Sequence, residues 1–197
     1  MCSVRYVVDN AQAVGCVILS GQVAYMGRTL ILTGAPGVGK TTVIKAVIDQ
    51  LGERAGGFYT EELLGPGGRK GFKLITLDGP WGIMAHVDFK SRSKVGRYGV
   101  AVDVIDQYGV TAIKAALEHK PIVIIDEIGK MELFSSPFQA AVLKAVGGPK
   151  TVIATAMIDN HPWVAALKAF PGVSVWTVTK KNRGALAADV LKWVNAG

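Results

Sequence analysis

Leu30-Ile31-Leu32-Thr33-Gly34-Ala35-Pro36-Gly37-Val38-Gly39-Lys40-Thr41-Thr42 joins a short apolar run, a glycine-rich turn and the first residues of a helix. Within it, Gly34 to Thr41 matches G-x-x-x-x-G-K-[ST] without deviation. Val43, Ala46, Val47 and Leu51 follow at helical spacing, which predicts an amphipathic helix from about Thr41 to Leu51. A strand before and a helix after is the context in which this pattern cradles phosphates. Glycines let the backbone curl so that successive N–H groups point inward, and the helix N-terminus adds positive potential. Gly34, Ala35, Pro36, Gly37, Val38, Gly39, Lys40, Thr41 and Thr42 are therefore the expected phosphate site. Lys40 would reach the β- and γ-phosphates, the Thr41 hydroxyl would be a magnesium ligand, and Thr42 would face the α-phosphate.

A second motif lies downstream. Ile122-Val123-Ile124-Ile125 is a continuous apolar run of the kind that forms a central strand buried on both faces, and it ends in Asp126-Glu127. An acid at the tip of such a strand suits a magnesium-holding role, here Asp126. Glu127 stands where a carboxylate can orient water and accept its proton, and water needs both because it is a poor nucleophile. The candidate nucleotide-binding set extends through Ile122, Val123, Ile124, Ile125, Ile128 and Gly129 around these acids. Thr155, near the end of the next apolar run, is read either as a sensor of the γ-phosphate or as a strand cap.

The rest of the chain reads as α/β. Phe58–Glu62, Phe72–Leu77 and Ile83–Val87 look like strands separated by Gly65-Pro66-Gly67-Gly68 and Asp78-Gly79-Pro80, which predicts an antiparallel meander. Gly52 and the pair Gly56-Gly57 are read as breaks after the first helix. Residues 88–97 are basic and polar and read as a mobile loop, with Val100-Ala101-Val102 resuming a strand. Helices are expected over about 105–119, 138–146, 162–169 and 183–194, with strands at 151–154 and 173–178. Strands alternating with helices imply a three-layer fold around a central, mostly parallel sheet.

Composition narrows the class. The chain has 197 residues, half of them hydrophobic and 19% charged, a globular balance. Its only cysteines are Cys2 and Cys16, which excludes a disulfide-dense secreted domain and argues against a cysteine zinc site, and a reducing cytosol is the simplest setting. Residues 10–27 carry no charge but are too polar for a membrane span, and the N-terminus lacks a basic signal region beyond Arg5. A net charge of +7 asks for an anionic partner. The first 25 residues could supply two strands to a sheet or be a leader. Met26 is a candidate native start, which would make 1–25 an N-terminal extension from an over-extended gene start and 26–197 the P-loop working domain.

Taken in order, Gly34–Thr42, Gly57-Phe58-Tyr59-Thr60-Glu61-Glu62, Arg69-Lys70-Gly71-Phe72, Val95-Gly96-Arg97-Tyr98, Asp126-Glu127-Ile128-Gly129-Lys130-Met131-Glu132-Leu133-Phe134 and Thr179-Lys180-Lys181-Asn182-Arg183 resemble the THEP, or cancer-related, nucleoside-triphosphatases. The likeness runs over residues 28–195. It implies a RecA-like P-loop fold and slow, magnesium-dependent hydrolysis of ATP, GTP and other nucleoside triphosphates to the diphosphate. The long lead-in departs from the family, whose members begin almost at once with the phosphate-loop strand.

Several residues stay open at this level. Arg69 is either a charge-stabilising arginine or a solvated turn residue, and Arg97 is a weaker candidate of the same kind. Lys130 and Glu132 either form an ion pair that positions Glu127 or face solvent. Asn182 and Arg183 are candidates for base or ribose contact. No Asn-Lys-x-Asp string is present to select guanine. The histidines, His86, His119 and His161, lack metal-ligand spacing. The competing functions are a nucleotide or nucleoside kinase and a nucleic-acid-binding protein switched by ATP. The expected partner is a nucleoside triphosphate, with Mg2+ as cofactor, no membrane, nucleic acid not favoured and a monomeric state favoured.

Overall fold

The computed structural model describes residues 5–8, 15–19, 22–25 and 27–196. Met26, the expected start of the working domain, lies outside the described residues. Strands β1 (Arg5–Val8), β2 (Gly15–Leu19) and β3 (Gln22–Tyr25) pair antiparallel in a sheet of their own, three strands among the described residues where the sequence reads as two strands or a leader.

The main sheet has nine strands. Five run parallel: β12 (Val173–Thr177), β4 (Thr29–Thr33), β11 (Thr151–Ala156), β10 (Ile122–Ile128) and β5 (Ala55–Gly65), adjacent in that order. Beyond β5 the sheet continues antiparallel through β6 (Gly68–Thr76), β7 (Trp81–His86), β9 (Tyr98–Val100) and β8 (Lys94–Val95). The expected meander is thus an extension of the central sheet. β5 joins the two parts, because Ala55–Phe58 pair with β10 while Phe58–Gly65 pair with β6.

Alternation along the buried strands builds two cores. Leu30, Leu32, Ile122, Ile124 and Ile153 face α1 (Lys40–Leu51) and, through Leu186 and Val190, α6 (Arg183–Asn195). Ile31, Val123, Ile125, Val152 and Ala154 face the other way. There they meet α3 (Thr111–His119), α4 (Ser136–Val146) and α5 (Pro162–Lys168). Helices therefore cover both faces of the parallel half, the three-layer arrangement expected from the β/α alternation.

Local chemistry explains the boundaries. Gly52, at φ +52°, ends α1. Ser135 caps α4 by accepting from the Phe138 N–H at 2.9 Å, with proline in the first turn. Two readings change. Val102 does not continue a strand. It starts α2 (Val102–Val104), which passes through a π-helical segment, Ile105–Val110, into α3. The basic 88–97 segment is tied down rather than loose: Lys94 and Val95 pair with β9, and the Ser91 hydroxyl donates to the Val100 carbonyl at 2.7 Å.

Gly56 and Gly57 also prove to lie inside β5 instead of breaking the chain. At Gly57, φ is +115° and a Cβ would fall 2.0 Å from the Ile124 carbonyl oxygen of the neighbouring strand. A side chain there must push β5 off β10. Gly57→Ala is expected to destabilise the protein by about 3 kcal/mol or more, read as a lower urea midpoint at unchanged m-value.

Candidate active site

The parallel strands carry their C-terminal ends to one rim, where a cleft of about 760 Å³ opens. Gly34, Pro36, Gly37, Gly39, Lys40, Thr41 and Thr42 form one wall. Gly37 and Gly39 take φ of +71° and +108°, the curl the sequence motif requires. Ala35 and Val38 belong to the same turn, whose Ala35 carbonyl accepts from the Val38 N–H at 3.2 Å. Val38 is buried against α1 and its neighbours instead of lining the cleft.

Asp126 and Glu127 sit where the β10–β11 register breaks, between Ile125 and Ile128. Such irregularities re-aim side chains beside functional sites. Asp126 is fully buried and accepts from three elements: the Thr41 hydroxyl of α1 at 2.8 Å, the Thr155 hydroxyl of β11 at 2.6 Å and the Thr60 N–H of β5 at 3.4 Å. Burial pushes its pKa above the usual carboxylate range, and the Thr155, Thr41 and Thr60 bonds and Lys40 act in the opposite direction. Thr155, read as sensor or cap, thus bonds directly to the aspartate. Ile122, Val123, Ile124, Ile125 and Ile128 are core residues that hold the strand carrying the acids, while Gly129 opens onto the cleft.

Glu127 reaches into the cleft with 32% of its side chain exposed, and its Oε1 lies 3.7 Å from Lys40 Nζ. Burial also raises its pKa, with the Lys40 charge pulling it down. Lys40 itself is buried and donates to the Gly34 carbonyl at 3.2 Å.

Arg69 lies on the opposite cleft wall and is not a free turn residue. Its Nε donates to the Tyr98 hydroxyl at 3.1 Å, its Nη1 meets Glu62 at 2.5 Å, and its guanidinium lies 4.9 Å from the Phe72 ring centroid. Arg97 donates to the Arg69 carbonyl and to Tyr98, supporting Arg69 from outside the cleft lining. Lys130 pairs with Asp159 at 2.6 Å, not with Glu132. Glu132 is buried and accepts from the Gly129 N–H at 3.0 Å. Asn182 and Arg183 sit behind the phosphate loop and outside the cleft lining: Arg183 donates to the Val38 carbonyl at 3.3 Å, and Asn182 closes its own turn on Thr177 and Thr179.

Sequence reading missed the cleft's charge balance. Lys40, Lys45, Arg69 and Lys130 face Glu61, Glu62, Glu127, Glu132 and Asp159 across it, and every one of these cations is ion-paired, Lys45 with Glu61 at 2.5 Å. The pairing of Lys45 with Glu61 follows from β5 running past the start of α1, which no local spacing reveals. The donor set at Thr41 and Asp126 is all oxygen and suits a hard cation such as Mg2+, which commonly uses one or two carboxylates and completes its shell with water and substrate phosphate. Among the described residues, no group of three or more His, Cys, Asp or Glu could hold a metal without such help.

The NTPase family model matches residues 29–191. The nucleoside-triphosphatase THEP1 of Thermotoga petrophila is 44% identical over 162 residues, covering 82% of this chain and 90% of that protein. The mouse (Mus musculus) cancer-related nucleoside-triphosphatase homolog is 36% identical, covering 87% and 98%. The crystal structure of THEP1 from Aquifex aeolicus superposes with a TM-score of 0.78 at 37% identity, covering 84% of this chain and 98% of that one.

The Asp126 geometry makes a stability prediction. Thr155→Val keeps shape but removes one donor from a buried carboxyl. It should cost about 1–3 kcal/mol in chemical unfolding. Burial also places the Glu132 pKa at about 8, against about 4.5 in the unfolded chain. The folded state then holds a proton that the unfolded state releases, so this group's contribution to stability falls as pH rises from about 4.5 to 8. Glu132→Gln should flatten that decline in the Tm measured across this range.

Proposed function

The chain belongs to the NTPase family of THEP1 and the cancer-related nucleoside-triphosphatases, and on that premise we propose that it hydrolyses ATP, GTP and other nucleoside triphosphates slowly, with Mg2+, to the diphosphate and phosphate. That it is a nucleoside-triphosphate hydrolase follows from the family. The observation that carries the finer reading is the placement of Glu127. Its carboxylate opens into the cleft that the phosphate loop lines, 3.7 Å from Lys40.

In this reading the loop N–H groups and Lys40 bind the β- and γ-phosphates. Thr41 and Asp126 would hold the magnesium ion, which when bound neutralises charge on the phosphate oxygens. A cleft whose cations are all paired with carboxylates favours a nucleotide that arrives already complexed with its cation. Glu127 orients a water and takes its proton as the water oxygen bonds to the γ-phosphorus and the bond to the bridging oxygen breaks. Its raised pKa makes it a stronger base than an exposed glutamate. Arg69, held by Glu62 and Tyr98, stabilises the charge that develops on the transferring group. The proposed working unit, residues 26–197, contains every residue lining the cleft, and the scarcity of cysteine fits a reducing, cytosolic setting. Among the described residues, no helix is long and apolar enough to cross a membrane.

One observation favours a second reading. Phe72, Met84, Val95 and Met131 add an apolar wall to the cleft, which an organic phosphoryl acceptor would fill. Phosphate release without any acceptor counts against it.

The decisive measurement is phosphate release from a panel of nucleoside triphosphates. Glu127→Gln should bind nucleotide as wild type does and release phosphate about 10²–10⁴-fold more slowly. Lys40→Ala should weaken nucleotide binding by roughly 10–100-fold, the loss of charge-assisted hydrogen bonds. Chelation of Mg2+ should abolish turnover in the wild type, with restoration on adding it back. Unchanged turnover in Glu127→Gln would remove this residue from the mechanism.

A further inference from the structure

Glu132 has no part in the reaction described above, yet it is among the most completely buried ionisable groups in the protein, 5% exposed. It stands in the short helical turn Glu132–Phe134, immediately after the segment that leaves β10. Its Oε2 accepts from the Gly129 N–H at 3.0 Å, and so bridges the turn that carries the chain away from Glu127. The two glutamates flank Gly129. A Cβ on Gly129 would lie 3.0 Å from Glu132 Oε2 and 3.7 Å from Glu127 Cγ, so a side chain there would crowd the Glu132 carboxyl and merely touch Glu127. Both glutamates line the cleft.

Among the described residues, no cation pairs with Glu132. From β10 it faces Glu127 and Asp126, both acids. Lys40 of α1 is engaged by Glu127, and Lys130 is drawn away to Asp159. Asp106 is held by the Ser135 hydroxyl, and the basic residue of α4, Lys144, lies exposed in that helix's last turn. A buried carboxyl with a neighbouring acid and no counter-charge is disfavoured in its ionised form. Glu127 has Lys40 beside it and a side chain 32% exposed, whereas Glu132, at the cleft's edge, is only 5% exposed.

We propose that Glu132 is a positioning residue for Glu127: it anchors the turn after β10 through the Gly129 N–H, and its buried carboxyl, with an acid and no cation beside it, stays uncharged while nucleotide binds. Burial and the Glu127 charge put its pKa at about 8, so the protonated state persists through neutral pH. Above that pH Glu132 ionises, and a further negative charge enters the cleft against the phosphates. The positioning role rests on the hydrolase reading; the effect on nucleotide binding does not.

Two readouts separate these parts. Affinity for a fluorescent ADP analogue should weaken several-fold in the wild type between pH 7 and about 9, with an inflection near 8, and should stay flat in Glu132→Gln. The amide oxygen of Gln can still accept from Gly129, so Glu132→Gln should also keep kcat close to wild type at pH 7. Glu132→Ala removes the anchor and should lower kcat about 10–100-fold with KM little changed, comparable to the loss of other residues that orient a catalytic group. An alkaline inflection that survives in Glu132→Gln, or wild-type kcat in Glu132→Ala, would overturn the proposal. If Glu132→Ala does not fold, the pH profile of Glu132→Gln decides alone. A wild type that binds the analogue but releases no phosphate would sink the hydrolysis reading, and the affinity profile would still test Glu132.

Discussion

The buried carboxylate of Asp126 is the point at which three parts of the chain are fastened together. α1 offers the Thr41 hydroxyl, β11 the Thr155 hydroxyl and β5 the Thr60 N–H. An isolated buried carboxylate is expensive, and these donors offset only part of that cost, which is why the group's pKa remains raised. The consequence is geometric. The register of β5 and β11 against β10 thus sets where Thr60 and Thr155 meet Asp126, and Asp126 in turn ties down the start of α1 through Thr41.

The sheet makes this possible by its strand order. β11 lies between the phosphate-loop strand β4 and the acid-bearing β10, so Thr155 faces Asp126 from the next strand. β5 flanks β10 on the other side and then runs on into the antiparallel extension. Its far half carries Glu61 and Glu62, which engage Lys45 and Arg69. The meander is therefore the far wall of the cleft, and its residues meet the phosphate loop because β5 belongs to both halves of the sheet.

Charge is organised locally and not by the net balance. The protein carries +7 overall, yet the cations lining the cleft are each matched by a carboxylate. The surplus lies outside the cleft and acts at most as a long-range field, which salt screens within about 8–10 Å. Within the cleft, the buried carboxyls set the electrostatics: Asp126, Glu127 and Glu132 are all shifted upward, and Lys40 is the cation that lies beside Glu127.

The α/β class, the phosphate loop and the pair of acids after Ile125 are legible in the linear chain, because each depends on near-neighbour chemistry: glycines that must curl, a lysine and threonine at a helix start, an apolar run long enough for a buried strand. The linear chain also carries the alternation that places helices on both faces of the sheet. The tertiary structure alone decided which residues those groups meet. Nothing in the spacing of Thr60, Thr155 and Asp126 shows that they share one hydrogen-bond cluster, since they come from different strands. Gly56 and Gly57 read locally as breakers, and only the close approach of β10 shows that they are needed inside β5. The same holds for Lys130 and Glu132. Their spacing allows either an ion pair or two solvated side chains, but the turn after β10 pairs the lysine with Asp159 and turns the glutamate inward to the Gly129 N–H. Burial and partner choice depend on how separate segments pack, and a one-dimensional pattern does not contain that information.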